Sequence, residues 1–121
     1  MTRLYVPATL RLLADLHRDG VLTVGDDAVV APDDSEETEY DALMTAADTS
    51  AVLAAELDPG ERRRVVVVAE VASVPEGPHG RIAMADVVAV HADTEDLPAD
   101  GRDPDVDLCW YATQEVADLL R

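Results

Sequence analysis

The chain of 121 residues carries 26 Asp and Glu against 9 Arg and no Lys, a net charge of −17, and 48% of it is hydrophobic. The length predicts one domain over residues 1–121, and the apolar fraction predicts a folded core despite the charge. The acidic balance repels phosphates and anionic lipids, so neither nucleic acid nor a membrane is expected as a partner. Without lysine, a Schiff base, a pyridoxal phosphate anchor and a GK[ST] phosphate loop are excluded.

Cysteine and histidine usage excludes further chemistry. Cys109 is the only cysteine, so no internal disulfide is expected, and its apolar neighbours predict a buried thiol. The three histidines have no metal-ligand spacing, so neither a metal nor a cofactor is expected. The chain begins MTRLYVPATL, without a long apolar run, and no segment approaches the roughly 18 apolar residues of a membrane helix. A cytoplasmic protein is predicted.

The first third of the chain predicts a strand, a helix and a weak β segment. Residues 3–6 form the strand, which Pro7 is expected to end because proline lacks an amide donor. A helix follows from about residue 8 to Gly20, whose lack of a Cβ suits a helix end. Residues 21–31 carry Val-rich pieces around Gly25-Asp26-Asp27, a pattern typical of a loop or an edge hairpin.

The remainder predicts a second helix, three strands and a short terminal helix. Asp34 and Glu37 fit a capping box, Tyr40 and Leu43 begin the expected buried face, and residues 58–60 end the helix. Residues 62–72 predict a strand buried on both faces, paired antiparallel with 82–92. A polar loop over 93–107 leads to a strand at 108–111 and a final helix.

Together these elements predict an α+β fold. We expect a mixed or mostly antiparallel sheet of four to five strands, with two longer helices and a short C-terminal helix.

Several segments resemble a known family. They are LYVPATL at 4–10, Glu39-Tyr40 with Leu43, RRRVVVVAEV at 62–71, VVAVHAD at 87–93 and LCWYATQE at 108–115. These segments cover most of the chain, and with them it resembles a family of small acidic proteins from high-GC actinobacteria, described only as a domain of unknown function. Residues 21–33 are shorter than in that family. The resemblance implies no activity and no catalytic residues.

A small-ligand crevice is one hypothesis for function. If the first and last strands are neighbours and parallel, polar residues at their ends face one another, and exposed helix amides there can hold an anion. The candidate ligand-binding residues are Tyr5, Thr9, His91, Tyr111 and Gln114. His91 with Asp93 is either a general base or a partly buried strand-end histidine bonded to the backbone. No catalytic residue is assigned.

The clustered acids support another hypothesis. Eighteen of the 26 acids fall within 26–58 and 93–107, where Arg102 is the only base. The candidate partner-binding residues are Asp33, Asp34, Glu36, Glu37, Asp96, Asp100, Asp103 and Asp105. The alternating Asp103, Asp105 and Asp107 resemble the start of a calcium loop, but Leu108 and Gln114 stand where an EF-hand requires Gly and Glu.

The leading hypothesis is therefore a non-enzymatic binding or regulatory module whose acidic face engages a basic protein surface. The alternatives are a small enzyme or ligand binder using the crevice, a nucleic-acid mimic, and a fold whose charge serves only hydration. An exposed edge strand can pair two copies, so a monomer or a homodimer is expected.

Overall fold

The computed structural model describes residues 1–75, 80–98 and 107–120. Its helices and strands, in chain order, are β1 (Thr2–Ala8), α1 (Leu10–Asp19), β2 (Val21–Thr23), β3 (Val29–Val30), α2 (Glu36–Ala55), β4 (Val65–Val71), β5 (Arg81–Ala83), β6 (Val87–Ala92), β7 (Cys109–Ala112) and α3 (Val116–Leu119). Short 3₁₀ turns at Met84–Asp86 and Thr113–Glu115 precede β6 and α3. The α+β prediction is confirmed.

The main sheet has five strands in the order β3-β1-β4-β6-β7, and every neighbouring pair is antiparallel. The predicted antiparallel pairing of the valine strand β4 with β6 is confirmed. Of the two interpretations of residues 21–31, a loop or an edge hairpin, the hairpin is wrong, because β2 pairs with β5 in a separate two-stranded sheet while β3 pairs with β1. Residues 24–28 carry the chain from the small sheet to the edge of the large one.

Two cores form on the two faces of this sheet, because successive side chains of a strand point in opposite directions. On one face, Val65 and Val67 of β4 pack with Leu13 and Leu16 of α1, and with residues of β2, β5 and α3. On the other face, Val66 and Val68 pack against α2. The prediction that the valine strand is buried on both faces is confirmed, although the strand begins at Val65 rather than at residue 62.

The face that α2 turns to the sheet is built of small side chains. Its buried residues are Ala42, Ala46, Ala47, Ser50 and Ala54. The prediction that Tyr40 begins the buried face is wrong, since its side chain is 57% exposed. Small residues let the helix backbone approach the sheet closely, so the larger residues lie to the side. Ser35, not Asp34, caps α2, because its hydroxyl accepts the Thr38 N–H at 3.3 Å.

Gly20 ends α1 as predicted, whereas Pro7 does not end β1. The Thr9 hydroxyl accepts the Leu12 amide at 3.2 Å, and Gly20 ends the helix with φ at 79°. β1 continues through Pro7 to Ala8. Because β3 pairs only with Leu4 and Tyr5, Pro7 lies where β1 has a neighbour on one side, a position at which sheets tolerate proline.

Two buried polar contacts fasten the start of β4. The Ser50 hydroxyl donates to the Ala8 carbonyl at 2.7 Å and accepts the Val65 amide at 2.8 Å, joining α2, β1 and β4. The Arg64 guanidinium binds both oxygens of Asp93, at 2.8 and 2.9 Å, and Asp93 also accepts the Arg64 amide. Both side chains of this pair are buried, so their charges depend on each other.

Candidate functional site

The structure separates the five candidate ligand-binding residues. Thr9 is buried as the cap of α1, and Gln114 is exposed in the 3₁₀ turn after β7. Tyr111 lines a shallow depression with Arg63 and Glu115 on the α3 side of the sheet. Of the five, Tyr5 and His91 line a common pocket.

The premise of the crevice is wrong for a topological reason. β4 and β6 lie between β1 and β7, and three successive antiparallel pairings leave β1 and β7 running in opposite directions. Thr9, after the end of β1, and Thr113, after the end of β7, therefore lie at opposite ends of the sheet. The Thr113 hydroxyl instead donates to the Val87 carbonyl at 2.9 Å.

The pocket shared by Tyr5 and His91 lies beside α2 on the sheet. Its volume is about 330 Å³, and we call it the aromatic pocket. It is lined by Arg3, Tyr5, Glu39, Tyr40, Leu43, Val68, Val88, Ala89, His91 and Trp110. Three of the four Tyr and Trp residues of the chain are among these.

Strand register brings these side chains together. His91 is paired directly with Trp110, so the two rings project from the same face of neighbouring strands. The β4–β6 ladder shifts between Val68 and Ala69, where Val68 faces Ala89 and Ala69 faces Val87. This irregularity leaves Val88 without a direct partner on β4, and its side chain is exposed in the lining of the pocket.

An ion-pair cluster borders the aromatic pocket. The Arg3 guanidinium donates to Glu39 Oε1 at 2.8 Å and to Glu70 Oε1 at 2.7 Å. Arg3 and Glu39 also line a second pocket of about 450 Å³, which includes Asp33, Asp34 and Glu70 and which we call the acidic pocket. The two pockets share Arg3 and Glu39 in their linings, and we refer to the pair of pockets as the groove, with aromatic rings in one part and carboxylates in the other.

Burial shifts the pKa values of two titratable rings in the groove. Desolvation raises the pKa of Tyr5, and the nearby Glu39 carboxylate raises it further. Desolvation lowers the pKa of His91 below its ordinary 6.5, so the imidazole is uncharged at neutral pH. The groove therefore presents neutral rings beside a cluster in which two carboxylates outnumber one guanidinium.

The arrangement does not favour general-base catalysis by His91 and Asp93. Both oxygens of Asp93 are occupied by Arg64. Asp93 follows β6 at a buried position, whereas His91 points into the aromatic pocket. Cys109 is exposed on β7, contrary to the expectation of a buried thiol, because the edge strand leaves it uncovered.

The candidate partner-binding acids divide into two locations. Asp33, Asp34, Glu36 and Glu37 lie exposed at the start of α2. Asp96 lies near the other end of that helix, where its carboxylate accepts the amides of Gly60 at 2.6 Å and Arg62 at 3.1 Å. A helix of 20 residues spans about 30 Å. These acids do not form one face, and Asp100, Asp103 and Asp105 lie outside the described residues.

The four acids at the start of α2 differ in their bonding. Asp33 Oδ1 accepts the Thr38 hydroxyl at 2.6 Å and the Ser35 amide at 2.8 Å, and these bonds lower the pKa of the carboxyl group. Glu36 and Glu37 lie in the first turn, where negative charge complements the helix dipole. Asp34 lines the acidic pocket.

Arginine pairing is uneven over the described residues. Arg3, Arg11, Arg18, Arg63 and Arg64 form ion pairs within 4.0 Å, and all of their carboxylate partners lie outside residues 26–37. That segment holds six acids and no arginine. Among the described residues, the acids of this segment are therefore not compensated by arginine, and two of them, Asp33 and Asp34, line the acidic pocket.

Sequence reasoning identified Tyr5 and His91 but missed the rest of the aromatic pocket. Helical periodicity predicts Tyr40 on the buried side of its helix, and the neighbours of Trp110 predict an apolar strand. The signal available in the sequence is the scarcity of aromatic residues, because an exposed aromatic ring is notable in a chain that has so few of them. Which rings meet depends on the strand order, and periodicity carries no information on that order.

Metal and membrane sites are not seen in the part of the chain that the structure describes. Within it, no group of three or more His, Cys, Asp or Glu side chains is placed to hold a metal ion. None of its helices has both the length and the apolar character needed to cross a bilayer.

The fold and the groove define a class of protein: a small α+β domain with a five-stranded antiparallel sheet, a second sheet of two strands, α2 on one face of the larger sheet and an aromatic and acidic groove beside that helix. The chain belongs to the Family of unknown function (DUF6912), whose model matches residues 2–120. Neither the curated proteins nor the solved structures contain a match to it.

Proposed function

We propose that this protein is a non-enzymatic binding or regulatory module that holds a basic segment of a partner protein in its groove. The observation that carries the proposal is the charge of residues 26–37, whose acids form no ion pair with an arginine among the described residues and of which Asp33 and Asp34 line the acidic pocket. A cationic partner supplies compensation that the described arginines do not.

The charge distribution suits recognition more than raw affinity. A net charge of −17 attracts cationic surfaces over a distance and raises the rate of encounter. Exposed carboxylates such as Asp34 and Glu37 contribute little to a complex individually, about 0.2–1 kcal/mol each. Affinity must therefore also come from the aromatic end of the groove, where apolar surface is buried on binding.

The proposal places the protein in the cytoplasm, as a monomer or a homodimer and without a cofactor. It excludes nucleic acid and membranes as partners on the ground of charge. The alternatives have less support: a nucleic-acid mimic needs phosphate-like acids on one face, and the described acids divide between the two ends of α2. An enzyme needs an activated group, and Arg64 already occupies the carboxylate beside His91.

Isothermal titration calorimetry with a synthetic octapeptide of alternating arginine and glycine tests the proposal. We expect saturable binding at 50 mM salt that weakens strongly by 0.5 M, since the Debye length shortens from about 10 Å at 0.1 M to about 3 Å at 1 M. The variant Asp34→Asn/Glu37→Gln removes the charge of Asp34 in the acidic pocket and that of Glu37 in the first turn of α2. It is expected to weaken binding about 2- to 30-fold, the equivalent of about 0.4–2 kcal/mol.

The matched control is Glu56→Gln/Glu95→Gln, which removes two exposed charges away from the start of α2. We expect it to bind nearly as well as the unaltered protein. Equal weakening by the two double variants would mean that only net charge matters, and the groove would not be the binding site. Absence of binding at 50 mM salt would refute the proposal altogether.

A further inference from the structure

We propose, on the basis of the binding function above, that the aromatic pocket is the specificity site of the groove and receives one arginine side chain of the basic segment. The occupant is a guanidinium group from a partner protein, stacked on Tyr40 and Trp110 and bonded to Glu39.

The exposure of the rings is the first argument. Tyr5, 5% exposed, belongs to the buried floor, whereas Tyr40 and Trp110 are 57% and 60% exposed. Burying these two rings would stabilise the fold through the hydrophobic effect, yet both lie exposed in the lining of one pocket. Trp and Tyr are the residues that most often dominate the energy of protein interfaces.

The electronic character of the rings is the second argument. The face of a Trp or Tyr ring carries negative partial charge and attracts a cation placed over it. A guanidinium group is planar, keeps its charge at all physiological pH values, stacks on aromatic faces and is less strongly hydrated than an ammonium group. His91, uncharged at neutral pH, adds no repulsion to such a group.

The free acceptor at the rim is the third argument. Arg3 occupies Oε1 of Glu39, and among the described residues no hydrogen bond reaches Oε2 of that carboxylate. Arg3 likewise takes only one oxygen of Glu70. Two carboxylates share one guanidinium, so the cluster keeps a net charge of −1 and accepts a second cation. Asp33 and Asp34, in the adjoining pocket, favour further basic residues of the same segment.

The size of the pocket is the fourth argument. Its volume of about 330 Å³ lies at the lower limit of small-molecule sites, which span about 300–1,000 Å³. Such a volume suits one long side chain rather than a nucleotide or a large cofactor. The exposed Val88 side chain provides apolar contact for the methylene groups that carry the guanidinium.

Trp110 is the only tryptophan, so its fluorescence reports directly on the pocket. We expect the arginine–glycine octapeptide to change its emission saturably. A peptide with citrulline in place of arginine has nearly the same shape without the charge, and its binding is expected to be at least 10-fold weaker. A lysine–glycine octapeptide, which keeps the charge without the planar group, is expected to bind about 2- to 10-fold more weakly than the arginine peptide.

Variants of the rings separate this inference from the binding function on which it rests. Tyr40→Ala changes no charge at neutral pH and is expected to weaken the arginine peptide about 2- to 30-fold, whereas Tyr40→Phe is expected to stay within about twofold. Val52→Ala, at another exposed position of α2, is the matched control and is expected to have no effect. Trp110→Leu, followed by calorimetry, provides a second variant.

The outcomes are distinct. Binding that is sensitive to Asp34→Asn/Glu37→Gln but unchanged by Tyr40→Ala and Trp110→Leu would overturn the assignment of the pocket and leave the acidic binding surface standing. No binding of the arginine peptide by the unaltered protein would overturn both. Weakening by Tyr40→Ala with retention in Tyr40→Phe supports the assignment.

Discussion

Replacing Arg64 with leucine removes one partner of a buried ion pair and leaves the other charge without compensation. Arg64 is 5% and Asp93 2% exposed, and two side-chain hydrogen bonds of 2.8 and 2.9 Å join them. In Arg64→Leu the buried Asp93 carboxylate keeps only the backbone amide at position 64 as a donor in this contact. Breaking such a pair from one side costs about 3–5 kcal/mol in the free energy of unfolding.

That loss is large for a chain of 121 residues, because native domains are stable by only about 0.05–0.15 kcal/mol per residue. With a urea dependence of about 1.5 kcal/mol per molar, the unfolding midpoint falls by about 2–3 M. Urea titration followed by circular dichroism and by Trp110 fluorescence measures the shift, and coincident transitions support two-state unfolding.

A double-mutant cycle tests the cause of the loss. Arg64→Leu/Asp93→Asn removes both charges, while the asparagine oxygen keeps the hydrogen bond from the backbone amide. The double variant is expected to be more stable than Arg64→Leu alone, since no uncompensated charge stays buried. A loss below about 1 kcal/mol in Arg64→Leu, or a double variant less stable than both single ones, would refute the reasoning.

Two further predictions concern buried polar groups. Ser50→Ala leaves the Val65 amide and the Ala8 carbonyl without the hydroxyl that joins them. We therefore expect a loss of about 1–3 kcal/mol in the free energy of unfolding, measured by urea titration. An effect near zero would mean that the two strands hydrogen-bond to each other directly in the variant. Burial lowers the pKa of His91 below 6.5. As the pH falls below 6.5, the imidazole of the unfolded chain therefore takes up a proton before that of the folded protein does. Stability attributable to His91 is therefore complete above about pH 6.5 and declines as the pH falls below that value. His91→Leu is expected to reduce this decline, measured as the pH dependence of the melting temperature, whereas His17→Gln, at an exposed position, is not. Equal pH dependences in the two variants would contradict the assignment of the decline to His91.

Much of the fold was predictable because local chemistry decides it. Thr9 and Gly20 mark the ends of α1 through a side-chain cap and a positive φ, both properties of single residues. The run Val65–Val68 predicts a strand buried on both faces, because no polar side chain is available to face water. Antiparallel pairing with β6 follows from the chain order and the connection between the two strands.

Prediction failed where the nearest neighbour in sequence was not the neighbour in space. β2 and β3 look like a hairpin, yet each pairs with a distant strand. Tyr40 looks like a core residue by its size, yet Ala42 and Ala46 lie on the buried face because small side chains allow close packing on the sheet.

The candidate site shows the same division. The sequence by itself determined the excess of carboxylates, the missing lysine, the scarcity of aromatic residues and the segments that become helices and strands. Only the tertiary structure decided that Trp110 lies beside His91, that Arg3 joins Glu39 to Glu70, and that Asp93 forms an ion pair with Arg64. The physical reason is that hydrophobic periodicity fixes which face of a strand is buried, whereas strand order and register, set by packing of the whole chain, fix which side chains meet.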